Sequence, residues 1–245
     1  MTYKDDFYKK YVSTHIVGRK PVPTLEYFRM KQVVWQNIFG RFLPQDKQAK
    51  IADLGCGDGK IVWWLQEIGF ENAVGVDVSA EQVETASRLG VKNISHTDLK
   101  VFLKNKTNYY DMLILRDVIE HFNKKEILDV LEVCRDALRD RGSLIIQVPN
   151  AESPFFGRIR YGDFTHEIAF CSSSLSQVFN IVGLTQHEFH SVEPIFRGGR
   201  SILRRVLWKV AKGLYKMLLF TELGPGERIV SQDLLAVATK MNVSL

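Results

Sequence analysis

The sequence predicts an α/β fold, a parallel sheet with helices on both faces, and three observations carry that prediction. Between residues 50 and 150, short apolar runs alternate with amphipathic helical stretches. A glycine-rich turn follows the first apolar run immediately. Acidic residues then stand at the carboxyl ends of the first three runs, in order.

The elements follow in sequence. After Pro21 and Pro23, Thr24 can N-cap a helix carrying Leu25, Phe28, Trp35, Ile38, Phe39 and Phe42, which Pro44 ends. Residues 51–54 read as a strand and 60–68 as its helix; 73–77 is a second strand. Ser79 and Gln82 make a capping box for a helix to about residue 89. Residues 93–97 and 110–115 are further strands, 124–138 a helix and 142–148 a fifth strand. Beyond Asn150 a loop leads to a helix over 174–182, closed by Gly183. Two late strands, 184–192 and 233–240, enclose a helical insertion within residues 195–230. The economical reading is one domain over 1–245: a helical cap or lid (1–49), a core (50–150) and a region with the insertion (151–245).

Composition narrows the function. The 245 residues are 45% hydrophobic and 25% charged, which excludes disordered and fibrous classes. The net charge of +5 is unevenly placed, since seven basic residues and no acid lie between residues 195 and 221. The remainder carries −2, so a nucleic-acid-coating protein is disfavoured. Three cysteines without a C-x-x-C pair indicate neither a zinc knuckle nor a disulfide framework. Neither a signal peptide nor a transmembrane run is visible, which makes the cytoplasm the expected location.

Asp53-Leu54-Gly55-Cys56-Gly57-Asp58-Gly59 is the strongest signal. Alternate glycines allow a tight turn and close approach of backbone to ligand. A dinucleotide fingerprint needs a glycine where this chain has Lys60, and the leading Asp53 repels a pyrophosphate but suits a cation. Asp77, 24 residues on, can accept both hydroxyls of a ribose. Asp98 can reach an adenine amino group, with Leu99 beside it. A ligand with ammonium and sulfonium charges, S-adenosylmethionine, fits these demands.

These residues resemble the class I S-adenosylmethionine-dependent methyltransferases. Residues 53–59 are similar to their motif I, Val76-Asp77-Val78-Ser79 to motif II and Thr97-Asp98-Leu99 to the adenine-contact motif. Residues 115–121 resemble the segment after the fourth strand in the small-molecule branch. The resemblance implies a Rossmann-like, seven-stranded, mostly parallel sheet whose last strand is antiparallel. It also implies cofactor contacts from Asp53, Gly55, Cys56, Gly57, Asp77, Val78, Asp98 and Leu99, with Arg116 near the methionine end.

The acceptor is expected to be a small molecule or glycan and not nucleic acid. Arg116-Asp117-Val118-Ile119 lacks the Asn/Asp-Pro-Pro-aromatic run of base amino-methyltransferases, and no cysteine stands there for cytosine C5 chemistry. His166 can accept a proton from a hydroxyl, with Asp163 orienting its imidazole; the alternative is that His166 only ties its loop. Tyr161-Gly162-Asp163-Phe164-Thr165-His166-Glu167 resembles bacterial methyltransferases of O-antigen and capsule sugars, which implies a carbohydrate hydroxyl, with Arg160, Tyr161 and His121 beside it. A phosphate-linked, amine or quinone-type acceptor, or a non-catalytic cofactor-binding scaffold, stays open. Asp117, Glu120 and His121 are similar to the acid-x-x-Glu-His of ubiquinone-pathway O-methyltransferases, where such residues can hold a divalent cation. The first acid here is the shorter Asp, and no metal site is assigned. Tyr8, Tyr11 and His15 suit a lid over the acceptor, or ordinary surface positions.

Residues 200–220 read as one helix with Arg205, Lys209, Lys212 and Lys216 in a narrow sector and apolar residues elsewhere. Such a helix is expected to bury most of its circumference on its own domain, on a second subunit in a dimer, or peripherally at an anionic membrane, here the inner face, with nucleic-acid binding the remaining alternative.

Overall fold

The computed structural model describes residues 7, 8, 10, 23–195, 200–226 and 228–241. Seven strands form one sheet: β1 (Ile51–Leu54), β2 (Val74–Asp77), β3 (Ile94–His96), β4 (Tyr110–Arg116), β5 (Leu138–Pro149), β6 (Gln186–Ser191) and β7 (Asp233–Thr239). Their order is β3-β2-β1-β4-β5-β7-β6, parallel except for β7, which runs antiparallel to both β5 and β6. The expected Rossmann-like sheet and its antiparallel last strand are both present. The central strands are buried on both faces and read as continuous apolar runs, as a helix-covered parallel sheet requires.

The helices are α1 (Leu25–Phe39), α2 (Lys60–Glu67), α3 (Ala80–Arg88), α4 (Leu99–Leu103), α5 (Lys124–Ala137), α6 (Phe156–Arg160), α7 (Ser172–Ile181) and α8 (Arg200–Leu223). Thr24 caps α1 through its hydroxyl, which accepts from the Tyr27 amide at 3.0 Å. Phe28, Trp35 and Phe39 of α1 pack on Trp63 and Trp64 of α2, so α1 belongs to one sheet-face core. On the other face α5 and α7 bury Ile127, Leu131, Leu175 and Phe179.

Several expectations require correction. Ser79 occupies the N-cap of α3, but its hydroxyl makes no cap bond and is buried without a partner. Asp77 takes over locally, accepting from the Ser79 amide at 2.8 Å. A capping box forms instead at Asn123 and Glu126 of α5, where the Asn side chain reaches the Lys125 and Glu126 amides. The segment after Asn150 is not all loop, because α6 lies within it. The last correction concerns α8. It does not bury most of its circumference on the domain, since ten of its large apolar side chains are more than half exposed.

Candidate active site

The sheet reverses strand order between β1 and β4, the position where open α/β sheets bind ligands beyond the carboxyl ends. The glycine turn leaves β1 at this point. Gly55, Gly57 and Gly59 have φ of 79°, 57° and 75°, a backbone region that L side chains rarely occupy. The Gly55 and Cys56 amides both donate to the Val76 carbonyl, at 2.8 and 2.9 Å, which ties the turn to β2. A Cβ at Gly55 would lie 2.5 Å from Val118 Cγ2, so only glycine fits.

The structure brings the acids of the first three strands to this one edge. Asp53 is buried and its Oδ1 has no hydrogen-bond partner. Burial pushes its carboxyl up to about 7, against the pull of Arg116 and Lys60. Asp77 accepts from the Gly57 amide at 2.7 Å through Oδ2, and burial raises its pKa despite those bonds. Asp98 caps α4, its Oδ1 accepting from Lys100 and Val101 amides at 2.8 and 3.2 Å. Val78 is exposed, Leu99 and Cys56 are buried, and burial drives the Cys56 thiol well above its usual range. Arg116 pairs with Asp117 at 3.4 Å. Burial opposes the Arg116 charge, but Asp117, Asp53 and Asp58 hold the guanidinium protonated.

A second cluster lies behind β4. Glu120 is fully buried, and neither carboxylate oxygen has a partner. Burial and the nearby Asp117 charge raise its pKa well above the ordinary range. The rings of His121 and His166 meet edge to face at 4.7 Å. Burial pushes His121 down to about 4, so it is neutral at physiological pH. Burial also lowers His166, while Asp163 and the Ile159 carbonyl pull the other way. His166 Nδ1 is buried without a hydrogen-bond partner. Among the described residues, Glu120, His121 and His166 place one donor atom each within 4.8 Å of one another. That set can hold a cation, and it contains His166 where the sequence pointed to Asp117.

The expected Asp163–His166 pairing is not what forms. Asp163 Oδ1 accepts from the Thr165 amide at 2.9 Å and hydroxyl at 2.6 Å, and Thr165 Oγ1 in turn meets His121 Nδ1 at 2.9 Å. Asp163 thus orients His121 through a buried threonine, because the tight turn to Thr165 brings that residue under the carboxylate first. Arg160 donates to the carbonyls of His166 and Glu167, so its guanidinium braces the loop. Tyr161 is 79% exposed. Phe7 stacks on Phe164, and Tyr8 meets His121 edge to face at 6.3 Å, bringing the first segment over this loop. Tyr11 and His15 lie outside the described residues.

A family model described as a methyltransferase domain matches residues 27–188. The chain belongs to this methyltransferase family. Solved structures support the fold. A SAM-dependent methyltransferase from Archaeoglobus fulgidus is 20% identical with a TM-score of 0.65, covering 88% of this chain and 97% of its own. A possible histamine N-methyltransferase from Thermotoga maritima is 14% identical with a TM-score of 0.58, covering 96% and 97%. Phosphoethanolamine N-methyltransferase 2 from Haemonchus contortus, in complex with S-adenosyl-L-methionine, is 13% identical with a TM-score of 0.61, covering 96% of this chain and 60% of that one. No curated protein matches.

S-adenosylmethionine is the methyltransferase's cofactor, and the site's residues fit it. The partnerless buried Asp53 Oδ1 calls for a cation, and the positive-φ glycines Gly55, Gly57 and Gly59 hold the turn at the carboxyl end of β1 where that ligand binds. Residues missed from the sequence share a cause, which is long-range assembly. Thr165 gains its role only from Asp163 and His121. Asp233, at the start of β7, is pushed up to about 7 by burial and by the Asp117 charge, and no local motif marks it. The Asp117-x-x-Glu120-His121 spacing was the one available signal for Glu120.

Proposed function

We infer that this methyltransferase acts on a hydroxyl of a small molecule, a sugar or surface-glycan precursor, with His166 removing the proton. The observation that carries the reading is His166 Nδ1, buried and without a hydrogen-bond partner, in a cluster that also holds the partnerless Glu120 carboxyl. With its lowered pKa, His166 is neutral at pH 7 and has a lone pair to give. His121, neutral and held by Thr165, packs its ring against His166 and limits its rotation. Exposed aromatic rings at Phe155 and Tyr161 offer flat apolar faces of the kind a sugar ring stacks on.

When bound, S-adenosylmethionine supplies a methyl group made electrophilic by its sulfonium. Asp53 would face its ammonium and Asp77 its ribose hydroxyls, while the Gly55–Gly57 turn sets how closely it sits against β1. The chain's remaining task is alignment and deprotonation of the acceptor, with Phe7 and Tyr8 covering the loop against water. The test is mass spectrometry of products from nucleotide sugars and glycan precursors incubated with protein and cofactor. An acceptor-dependent gain of one CH₂ on oxygen supports the reading. Cofactor binding without turnover on any acceptor would leave a scaffold.

The Glu120–His121–His166 donor set favours one second reading, in which a divalent cation positions the acceptor oxygen there. Chelation separates the two. Turnover that vanishes with a chelator and returns with one specific ion would replace His166 as base with His166 as ligand.

A further inference from the structure

We propose that α8 is a docking helix that lies flat on an anionic lipid surface. This goes beyond methyl transfer and does not depend on it. The 24 residues of α8 extend about 36 Å. With about 100° between successive residues, Trp208, Lys212, Tyr215 and Leu219 share one side, and these are its half-buried positions. That side is fastened to the body. Trp208 Nε1 donates to Glu193 Oε2 at 3.0 Å, Lys212 pairs with Glu193, and the Tyr215 hydroxyl donates to the Glu152 carbonyl at 3.3 Å.

The opposite side spans about 140° of the circumference without a charged residue. Leu203, Val206, Leu207, Val210, Leu214 and Met217 lie on it, each 52–65% exposed. A contiguous apolar strip of this length is not left in water without a purpose. Among the described residues no helix is long and apolar enough to cross a membrane, so α8 lies on a bilayer and does not span it.

Charge selects the occupant. Arg205, Lys209 and Lys216 form a row along one border of the apolar strip, and residues 195–221 contain no acid. Arg205 and Lys209 of this row also line a 610 Å³ cavity beside α1 that Arg41 lines too, with Glu193 as its acid, already held by Lys212. A lipid phosphate at the border of the strip meets Lys209 and Lys216. A second copy offers no row of acids, since antiparallel pairing of two α8 helices sets one basic row against the other and parallel pairing sets it against the border that carries Leu218 and Arg204. Apolar strip and basic border together match an anionic interface, and the one acid of α8, Glu222, stands in its last turn off the strip.

The experiment is vesicle co-sedimentation of the full chain, with phosphatidylcholine alone and with added phosphatidylglycerol. Binding is expected only with phosphatidylglycerol and is expected to weaken with salt. Lys209→Gln with Lys216→Gln should weaken it about thirtyfold, at ~1 kcal/mol per lysine. Val210→Glu with Met217→Glu should abolish it. Calorimetry with S-adenosylmethionine checks that both variants keep their fold, and it reads methyltransferase function separately from docking. Equal binding to both vesicle types, or no binding at low salt, overturns the proposal. So does a concentration-dependent dimer that Val210→Glu with Met217→Glu dissolves while vesicles stay unbound.

Discussion

Asp53 is the residue whose environment makes the sharpest quantitative demand. It is 2% exposed, with one carboxylate oxygen unpartnered, and burial lifts its pKa from 3.8 to about 7. A rise of about 3 pH units corresponds to ~4 kcal/mol against ionisation in the cofactor-free protein. A bound cation restores the anion, so cofactor binding below pH 7 releases a proton. With a pKa near 7, about one-tenth of Asp53 is ionised at pH 6 and about nine-tenths at pH 8, so the cofactor Kd should fall about tenfold between them and then level. Asp53→Asn should bind more weakly at pH 8 and show a flat profile. Calorimetry at pH 6, 7 and 8 measures both. A tenfold slope that survives in Asp53→Asn would refute the assignment.

The same shift predicts a stability trend of opposite sign. A raised folded pKa means that the Asp53 contribution is fully present below pH 4 and lost as pH rises through 7. Without cofactor, Asp53→Asn should therefore gain ~3 kcal/mol of stability relative to the parent between pH 5 and pH 8, because about two pH units of the window up to the folded pKa near 7 lie between them. Urea unfolding at both pH values decides this, and parallel behaviour of the two proteins would show that Asp53 is not desolvated.

Three further outcomes are expected. Gly55→Ala meets φ +79° and a 2.5 Å approach to Val118 Cγ2, costing ~1–2 kcal/mol for the backbone and ~1–3 kcal/mol for the overlap. Adding Val118→Ala should return only the second part in urea unfolding. His166→Ala should lower kcat by about 10²–10⁴ with cofactor Kd unchanged, and the parent's kcat should rise with pH on the acid side and be level at neutrality, because burial lowers the imidazole pKa. Glu120→Gln should leave cofactor affinity intact, and chelator should leave turnover intact if His166 is the base; loss of turnover on chelation would move the site to a metal reading.

The sheet and cofactor edge were legible because their signals are local. An apolar run, a glycine turn and an acid at the end of a strand lie within seven residues of one another at Asp53–Gly59. Strand boundaries fell within a few residues except at β5, which starts at Leu138 because it pairs with Tyr110 before an irregularity. The acceptor side was less legible. Ser79 has the right spacing for a capping box, yet the preceding Asp77 reaches its amide first. Asp163 lies three residues from His166 and still serves Thr165 and His121, since the turn decides which neighbour it meets. Periodicity put Arg205, Lys209, Lys212 and Lys216 in one sector, but it carries no information on what the body covers, and Lys212 turns to Glu193 on the fastened side.

The acids of this chain register where it supplies a cation and where it does not. At the strand ends, Asp53, Asp77, Glu120 and Asp233 are all raised, with burial the largest cause in each, so the chain's own cations leave that edge short of positive charge. Under α8 the opposite holds. Burial again acts to raise Glu193, but hydrogen bonds from Lys212, Ser191 and Trp208 win and pull it below its usual range. If the lysines of α8 lay at the sheet edge, they would ionise those acids and remove the demand that a cationic cofactor meets. The +5 net charge is therefore the sum of two segregated parts: +7 between residues 195 and 221, and −2 over the remainder, which holds the sheet edge that is short of positive charge.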